Sequence, residues 1–166
     1  MTIGTRPGTP TPAAGWLDAE QQRAWRALVE GAQRLFDTLD HELKADAGLD
    51  LDQYEVLVRL SEAADGRLRM SELAEQVCMS RSRLTHRIDK MVEAGLVERV
   101  QCPDDRRGMH AALTATGRAR LEAAAPAHVD GVRRHLIEPL DPAEVVALGG
   151  AMARVAAQLE SKHSAR

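Results

Sequence analysis

Apolar residues recur at three- and four-residue steps along most of the 166-residue chain. From Asp18 onward, Trp25, Leu28, Val29, Ala32, Leu35, Phe36, Leu39 and Leu43 keep that spacing, which predicts one long amphipathic helix. Asp18 with Gln21 has the capping-box pattern, and Gly48 supplies a stop. A second helix is expected from Asp50 or Asp52, with Tyr54, Leu57 and Leu60 inward, ending before the Asp65-Gly66 turn. Leu68 to Met70 reads as a short strand, and Ser71 opens a short third helix with Leu73, Ala74 and Val77 inward. After a tight connection at Cys78 and Met79, Ser80 caps a fourth helix that runs to about Ala94 and is closed by Gly95. Its inner face is expected to be Leu84, Ile88, Met91 and Val92.

The spacing then changes. LVERVQC and MHAALT are strand-like runs joined by PDDRRG, which predicts a β-hairpin with a cationic tip. Two short helices, a tight turn and a hairpin in this order describe a winged helix-turn-helix. Thr114 caps a further helix carrying Leu121, Ala124, Ala125, Val129, Val132 and Leu136, which Pro126 is expected to kink. Asp141, Pro142 and Glu144 start a last helix with Val145, Leu148, Met152, Val155, Ala156 and Leu159, and Leu140 can staple to Val145. The expected fold is mainly α with a small β-hairpin wing (α+β). Residues 1–16 form a flexible tail, 50–114 the winged helix-turn-helix, and 17–48 with 115–162 a helical dimerisation region. The apolar stripes of those flanking helices exceed what one small core needs, so a second copy of the chain is the expected partner.

Composition first points away from nucleic acid, because 22 Lys and Arg stand against 25 Asp and Glu, for a net charge of −3. Splitting the chain changes this. Residues 1–66 carry −6, 67–107 carry +2 and 108–166 carry +1, and the cations of the middle segment cluster at Arg81, Arg83, Arg87 and Lys90 and again at Arg106 and Arg107. A local basic site steers a polyanion even on a negative molecule. The acid of the first 66 residues is expected to face away from DNA. Only Trp16, Trp25, Phe36 and Tyr54 are aromatic, which argues against stacking single-stranded bases.

The words DQYEVLVRLSEA, MSELAEQV, SRSRLTHRIDKMVEAGLVER, PDDRRG and ALTATGR, spanning Asp52 to Arg118, resemble the multiple antibiotic resistance regulator (MarR) family of bacterial transcription factors. The resemblance implies a homodimer that binds a pseudo-palindromic operator, usually as a repressor, and is released by a small phenolic or otherwise anionic ligand or by thiol oxidation. Cys78 stands in the helix-connecting turn where many relatives have Gly, Cys102 precedes the wing-tip proline where Asp or Asn is common, and His86 stands where Arg is frequent. Peroxide-sensing relatives place a reactive cysteine in the first long helix, and this chain has none there.

A helix fits the major groove of B-DNA, where each base pair shows a distinct pattern of donors and acceptors. Arg81, Arg83 and His86 are candidate donors to guanine and Arg87 a further candidate contact in the major groove, while Ser80, Ser82 and Thr85 suit phosphates or short base contacts. The alternative for the arginines is a solvated face or ion pairs with Asp89 and Glu93. At the wing tip one of Arg106 and Arg107 is expected in the minor groove, with Asp105 fixing a guanidinium. An effector pocket is expected between the long helices and the DNA-binding unit, walled by Trp25, Leu28 and Tyr54, each of which also fits ordinary core.

Other chemistries find little support. HExxH, GxSxG and Gly-rich phosphate loops are absent, so no enzyme is expected. The six histidines show no metal spacing, His128 and His135 reading as a solvated stripe, and no metal or cofactor is expected. Cys78 and Cys102 are too few for a disulfide framework and are expected to be small inert residues. With no apolar run long enough to span a membrane and no signal-peptide core, the expected setting is a reducing cytoplasm. The rival function is a winged-helix protein-interaction module, which the basic start of the fourth helix disfavours.

Overall fold

The structure, a computed structural model, describes residues 15–102 and 105–163, the side chains of 105–107 and 161–163 excepted; the tail expected over residues 1–16 thus lies almost wholly outside the described residues. The described elements are α1 (Ala19–Ala47), α2 (Leu51–Glu62), β1 (Arg67–Arg69), α3 (Met70–Gln76), α4 (Arg81–Glu93), β2 (Val97–Cys102), β3 (Asp105–Leu113), α5 (Ala115–Val132), a π-helical turn (Arg133–Ile137) and α6 (Pro142–His163). The three strands form one antiparallel sheet in the order β1-β3-β2. No described helix is long and apolar enough to cross a membrane.

The chain divides between Asp37 and Thr38 into two compact units. In the first, Asp18 Oδ1 accepts from Gln21 N at 2.8 Å while Asp18 N donates to Gln21 Oε1 at 3.1 Å, the reciprocal cap that starts α1. Trp25, Leu28 and Phe36 stand exposed on it, Trp25 at 57%.

The second unit is built on the interior of the helix-turn-helix. Val56, Leu57 and Leu60 of α2, Leu73 of α3, and Leu84, Ile88 and Met91 of α4 have no exposed surface. Each such side chain contributes about 1.5–3 kcal/mol by leaving water. Leu43 from the end of α1, Leu96, Val97 and Ala111 belong to the same cluster. Val92, expected on the inner face of α4, is exposed. At about 100° per residue it lies roughly 80° round the helix from Leu84, at the edge of the stripe that Leu84, Ile88 and Met91 fill.

Local signals decide the ends. Asp50 Oδ1 accepts from Gln53 N at 2.8 Å and Gln53 Oε1 accepts from Asp50 N at 2.9 Å, so α2 starts at Leu51. Gly48 and Gly95, at φ +64° and +70°, occupy the left-handed region that closes α1 and α4. Ser71 does not cap α3. Strand β1 runs straight into that helix, whose N-cap, Arg69, makes no side-chain capping bond. The strand itself lies one residue earlier than Leu68 to Met70, because Leu68 pairs with Ala111 at its centre and turns inward.

Helix α5 continues through Pro126, and a π-helical turn follows at Arg133–Ile137, where Glu138 N donates to Arg133 O at 2.9 Å. His128 and His135 do not form a solvated stripe. His128 is half-buried with its ring 4.4 Å from that of Tyr54, whereas His135 Nε2 meets Glu42 Oε1 at 2.9 Å. Burial holds the His128 imidazole below its ordinary pKa, Glu55 partly opposing, and raises that of the Tyr54 phenol. The bond from His135 lowers the Glu42 carboxyl. The last helix starts with Asp141 Oδ1 accepting from Glu144 N at 2.9 Å and Glu144 Oε2 from Asp141 N at 3.0 Å. Along it Val146, Val155 and Leu159 are exposed, Val146 at 75%.

Candidate nucleic-acid interface

The turn between α3 and α4 is held by backbone bonds, with Val77 and Met79 packed against the core. Val77 N donates to Leu73 O at 3.0 Å, Cys78 N to Glu75 O at 3.1 Å and Met79 N to Ala74 O at 2.9 Å, while Cys78 takes φ +52°. Among the described residues it is the one non-glycine in the left-handed region. The next residue but one, Ser80, caps α4, its Oγ accepting from Arg83 N at 3.3 Å. The first-turn amides and the positive end of the dipole therefore point outward with Ser80, Arg81 and Ser82, all exposed.

The other expected reading residues have different surroundings. His86 is exposed and faces solvent. The Thr85 hydroxyl donates back to Arg81 O at 2.8 Å, so its hydrogen is committed to its own helix. Arg83 and Arg87 pair with neither Asp89 nor Glu93. Arg83 Nη2 donates to Asp52 Oδ2 at 2.7 Å, Arg87 Nη2 donates to the same oxygen at 2.7 Å, and Arg87 Nη1 donates to Asp50 Oδ2. The Arg87 side chain is only 21% exposed and that of Arg83 62%. Arg87 thus belongs to the framework under the helix more than to its free face, and part of the acid of residues 1–66 stands against α4, the helix expected to meet DNA, instead of away from it. The reason is topological: the α2 N-terminus packs beside α4, 31 to 37 residues away in sequence.

The network continues into α1. Asp40 Oδ1 accepts from Leu51 N at 2.9 Å and Lys44 Nζ donates to Asp40 Oδ2 at 2.5 Å, bonds that hold the Asp40 carboxyl below the usual carboxylate range. On the other side Arg99 of β2 joins the wing to α4, with Nη1 2.9 Å from Asp89 Oδ1 and Nη2 donating to Thr85 O at 3.3 Å. The side chains of Asp105, Arg106 and Arg107 lie outside the described residues; the backbone of 105–107 is the start of β3, and the register of the hairpin shifts between Gln101 and Cys102. Cys102 is buried, its Sγ 2.9 Å from His110 Nδ1, whereas Cys78 is exposed. Of the residues assigned to a pocket, Trp25 and Leu28 are exposed and Tyr54 is buried against His128.

A family model described as MarR family matches residues 49–109. The chain is 43% identical to Sco3205, a MarR family transcriptional regulator from Streptomyces coelicolor solved in complex with DNA, with 87% of this chain and 94% of that one covered at a TM-score of 0.83. The chain belongs to the MarR family. It is therefore a transcriptional regulator and not an enzyme. AbsC, a second MarR family regulator from Streptomyces coelicolor, is 41% identical over 88% of this chain and 98% of its own, with a TM-score of 0.82. A curated relative, the HTH-type transcriptional repressor YetL of Bacillus subtilis (strain 168), is 29% identical over 112 residues, which are 68% of this chain and 66% of that protein.

In this MarR family regulator, sequence reasoning missed Asp50, Asp52 and Arg99. Asp50 and Asp52 were legible only as helix-start residues, and Arg99 only as an outward position on a strand. Two cations four residues apart on α4 were the signal that a carboxylate partner had to lie on a neighbouring element, since Arg83 and Arg87 repel each other unpaired.

Proposed function

We propose that this regulator is a homodimer that binds a pseudo-palindromic duplex operator and represses transcription from it. Helix α4 enters the major groove with Ser80, Arg81, Ser82, Arg83, Thr85 and His86 toward the bases and phosphates, and Arg87 braces it from behind. The wing carries Asp105, Arg106 and Arg107 to the adjacent minor groove, one arginine inserting. The observation that carries this reading is the exposed N-terminal face of α4, where a serine-capped helix start, Arg81 and Arg83 coincide. That face favours DNA over a protein-docking role. Exposed Val146, Val155 and Leu159 on α6, and separately Trp25, Leu28 and Phe36 on α1, supply the apolar surface that a second copy covers. The working compartment is the cytoplasm, where both thiols stay reduced.

A small effector would act by parting helices. The cavity bounded by Leu39, Leu43, Ala124 and His128 measures about 10 Å³, room for no more than one water.

Selection of bound duplexes from a random library tests the proposal. The expected result is a two-fold motif whose half-sites lie about one helical turn apart, bound by a dimer in light scattering. Recovery of no motif, or of a monomer on a single half-site, overturns it.

A further inference from the structure

We infer that Asp52 is a specificity-determining positioning residue, a carboxylate that holds Arg83 in one reading conformation and sets how much of its charge reaches DNA. This inference rests on the proposed operator binding. One oxygen, Asp52 Oδ2, takes Nη2 of both Arg83 and Arg87 at 2.7 Å, so it bridges two cations one turn apart on α4. Arg87 is further fixed by Asp50, whose other oxygen caps α2, and it cannot reach a groove without giving up two partners. Among the described residues Arg83 bonds through its side chain to Asp52 alone, by one nitrogen, and that side chain is 62% exposed, with further N–H groups left to donate.

The two arginines therefore divide the work. Arg87 anchors the carboxylate pair, and Asp52 aims Arg83. A flexible arginine at a DNA surface finds phosphates of any sequence, whereas one held in place donates only where a guanine stands in register. The same carboxylate cancels part of the cationic charge that would otherwise bind duplex without regard to sequence. The network reaches the end of α1 through Leu51 N and Asp40, so movement of α1 against α2 is transmitted to the aim of Arg83.

The test uses the full chain, the operator duplex recovered by selection and a scrambled duplex of equal length. Asp52→Asn keeps the shape and removes the charge. The expected result is a fall of about tenfold in the ratio of operator to scrambled affinity, a steeper salt dependence by about one ion for the scrambled duplex, and no such fall when Arg83→Ala is already present. Asp52→Glu is expected to restore most of the ratio. An unchanged ratio and slope in folded Asp52→Asn, or an equal fall in the Arg83→Ala background, overturns the inference. If Asp52→Asn does not fold, Asp52→Ser takes its place. A separate measurement needs no DNA: guanidinium NMR of the free protein is expected to show slowed rotation of the Arg83 Cζ–Nη bond, lost in the Asp52 variant. Slowed rotation without operator preference would sink the operator reading and leave the clamp standing without its reading role, while free rotation in the wild type removes the clamp itself.

Discussion

Gly117 lies so close beneath the Leu96 carbonyl that a Cβ at this glycine would stand 2.0 Å from the oxygen. The contact is the joint between the end of α4 and the start of α5. Thr114 Oγ1 donates toward Gly95 O at 2.7 Å and Leu96 O at 3.0 Å while accepting from Gly117 N at 2.9 Å, so the cap and the glycine work as one unit. Gly117→Ala forces backbone to move and is expected to lower stability by about 3 kcal/mol, read from urea denaturation midpoints. A variant with the wild-type midpoint would contradict the close approach.

Arg83 and Arg87 are expected to separate in mutation. Arg83→Ala lowers operator affinity by about 1–3 kcal/mol and relaxes preference at one base position, with stability nearly unchanged. Arg87→Ala leaves two half-buried carboxylates without their shared partner and costs about 2 kcal/mol of folding stability. Binding isotherms on operator variants, run beside thermal melts, distinguish the two, and identical profiles for both substitutions would contradict the division of roles.

Cys78 holds a left-handed conformation that a Cβ disfavours. Cys78→Gly is expected to stabilise the protein by about 1 kcal/mol, a rise in Tm of roughly 2–4 °C for a chain of this size. A lower Tm for the glycine variant would show that the thiol makes a compensating contact.

His128 links stability to pH. Its Nδ1 is inaccessible and has no hydrogen-bond partner among the described residues, and burial depresses its pKa from the ordinary 6.5. The unfolded chain therefore binds the proton more readily than the folded one. Stability from this group is fully present above about pH 6.5 and is lost as pH falls through the folded value. The Asp40 and Glu42 carboxyls, lowered from ordinary values of 3.8 and 4.5, act only in a more acid window. Urea midpoints at about pH 7.5 and about pH 5.5 are expected to differ in the wild type and to converge in His128→Phe, which keeps a ring against Tyr54. An equal pH dependence in the variant would assign the effect elsewhere.

Most of the helix starts were legible because their signals are local. Asp18 with Gln21, Asp50 with Gln53, Ser80, Thr114 and Asp141 with Glu144 each satisfy amides three residues away, and they do so in the structure. The third helix opens at Met70, one residue before Ser71, because strand pairing of β1 extends to Arg69 and the helix follows it directly. Val92 failed because a stripe read from spacing has no sharp edge, and only packing shows where the neighbouring elements end. Arg83 and Arg87 were legible as a cationic face, but their carboxylate partners were not, since nothing in the spacing relates residue 52 to residue 83.

From order and spacing came the winged helix-turn-helix and the element carrying its cations, because periodicity, caps and turn residues act over a few positions, while the family came from the resemblance of the words between Asp52 and Arg118. Tertiary structure decided which of those cations is exposed and which is held inside. Ion pairs between α2 and α4 join residues far apart in sequence, so burial of Arg87 and exposure of Arg83 depend on how the helices pack and not on any local word. The acidity of the first 66 residues likewise acquired its meaning from place: at Asp50 and Asp52 it lies against α4, paired with Arg83 and Arg87.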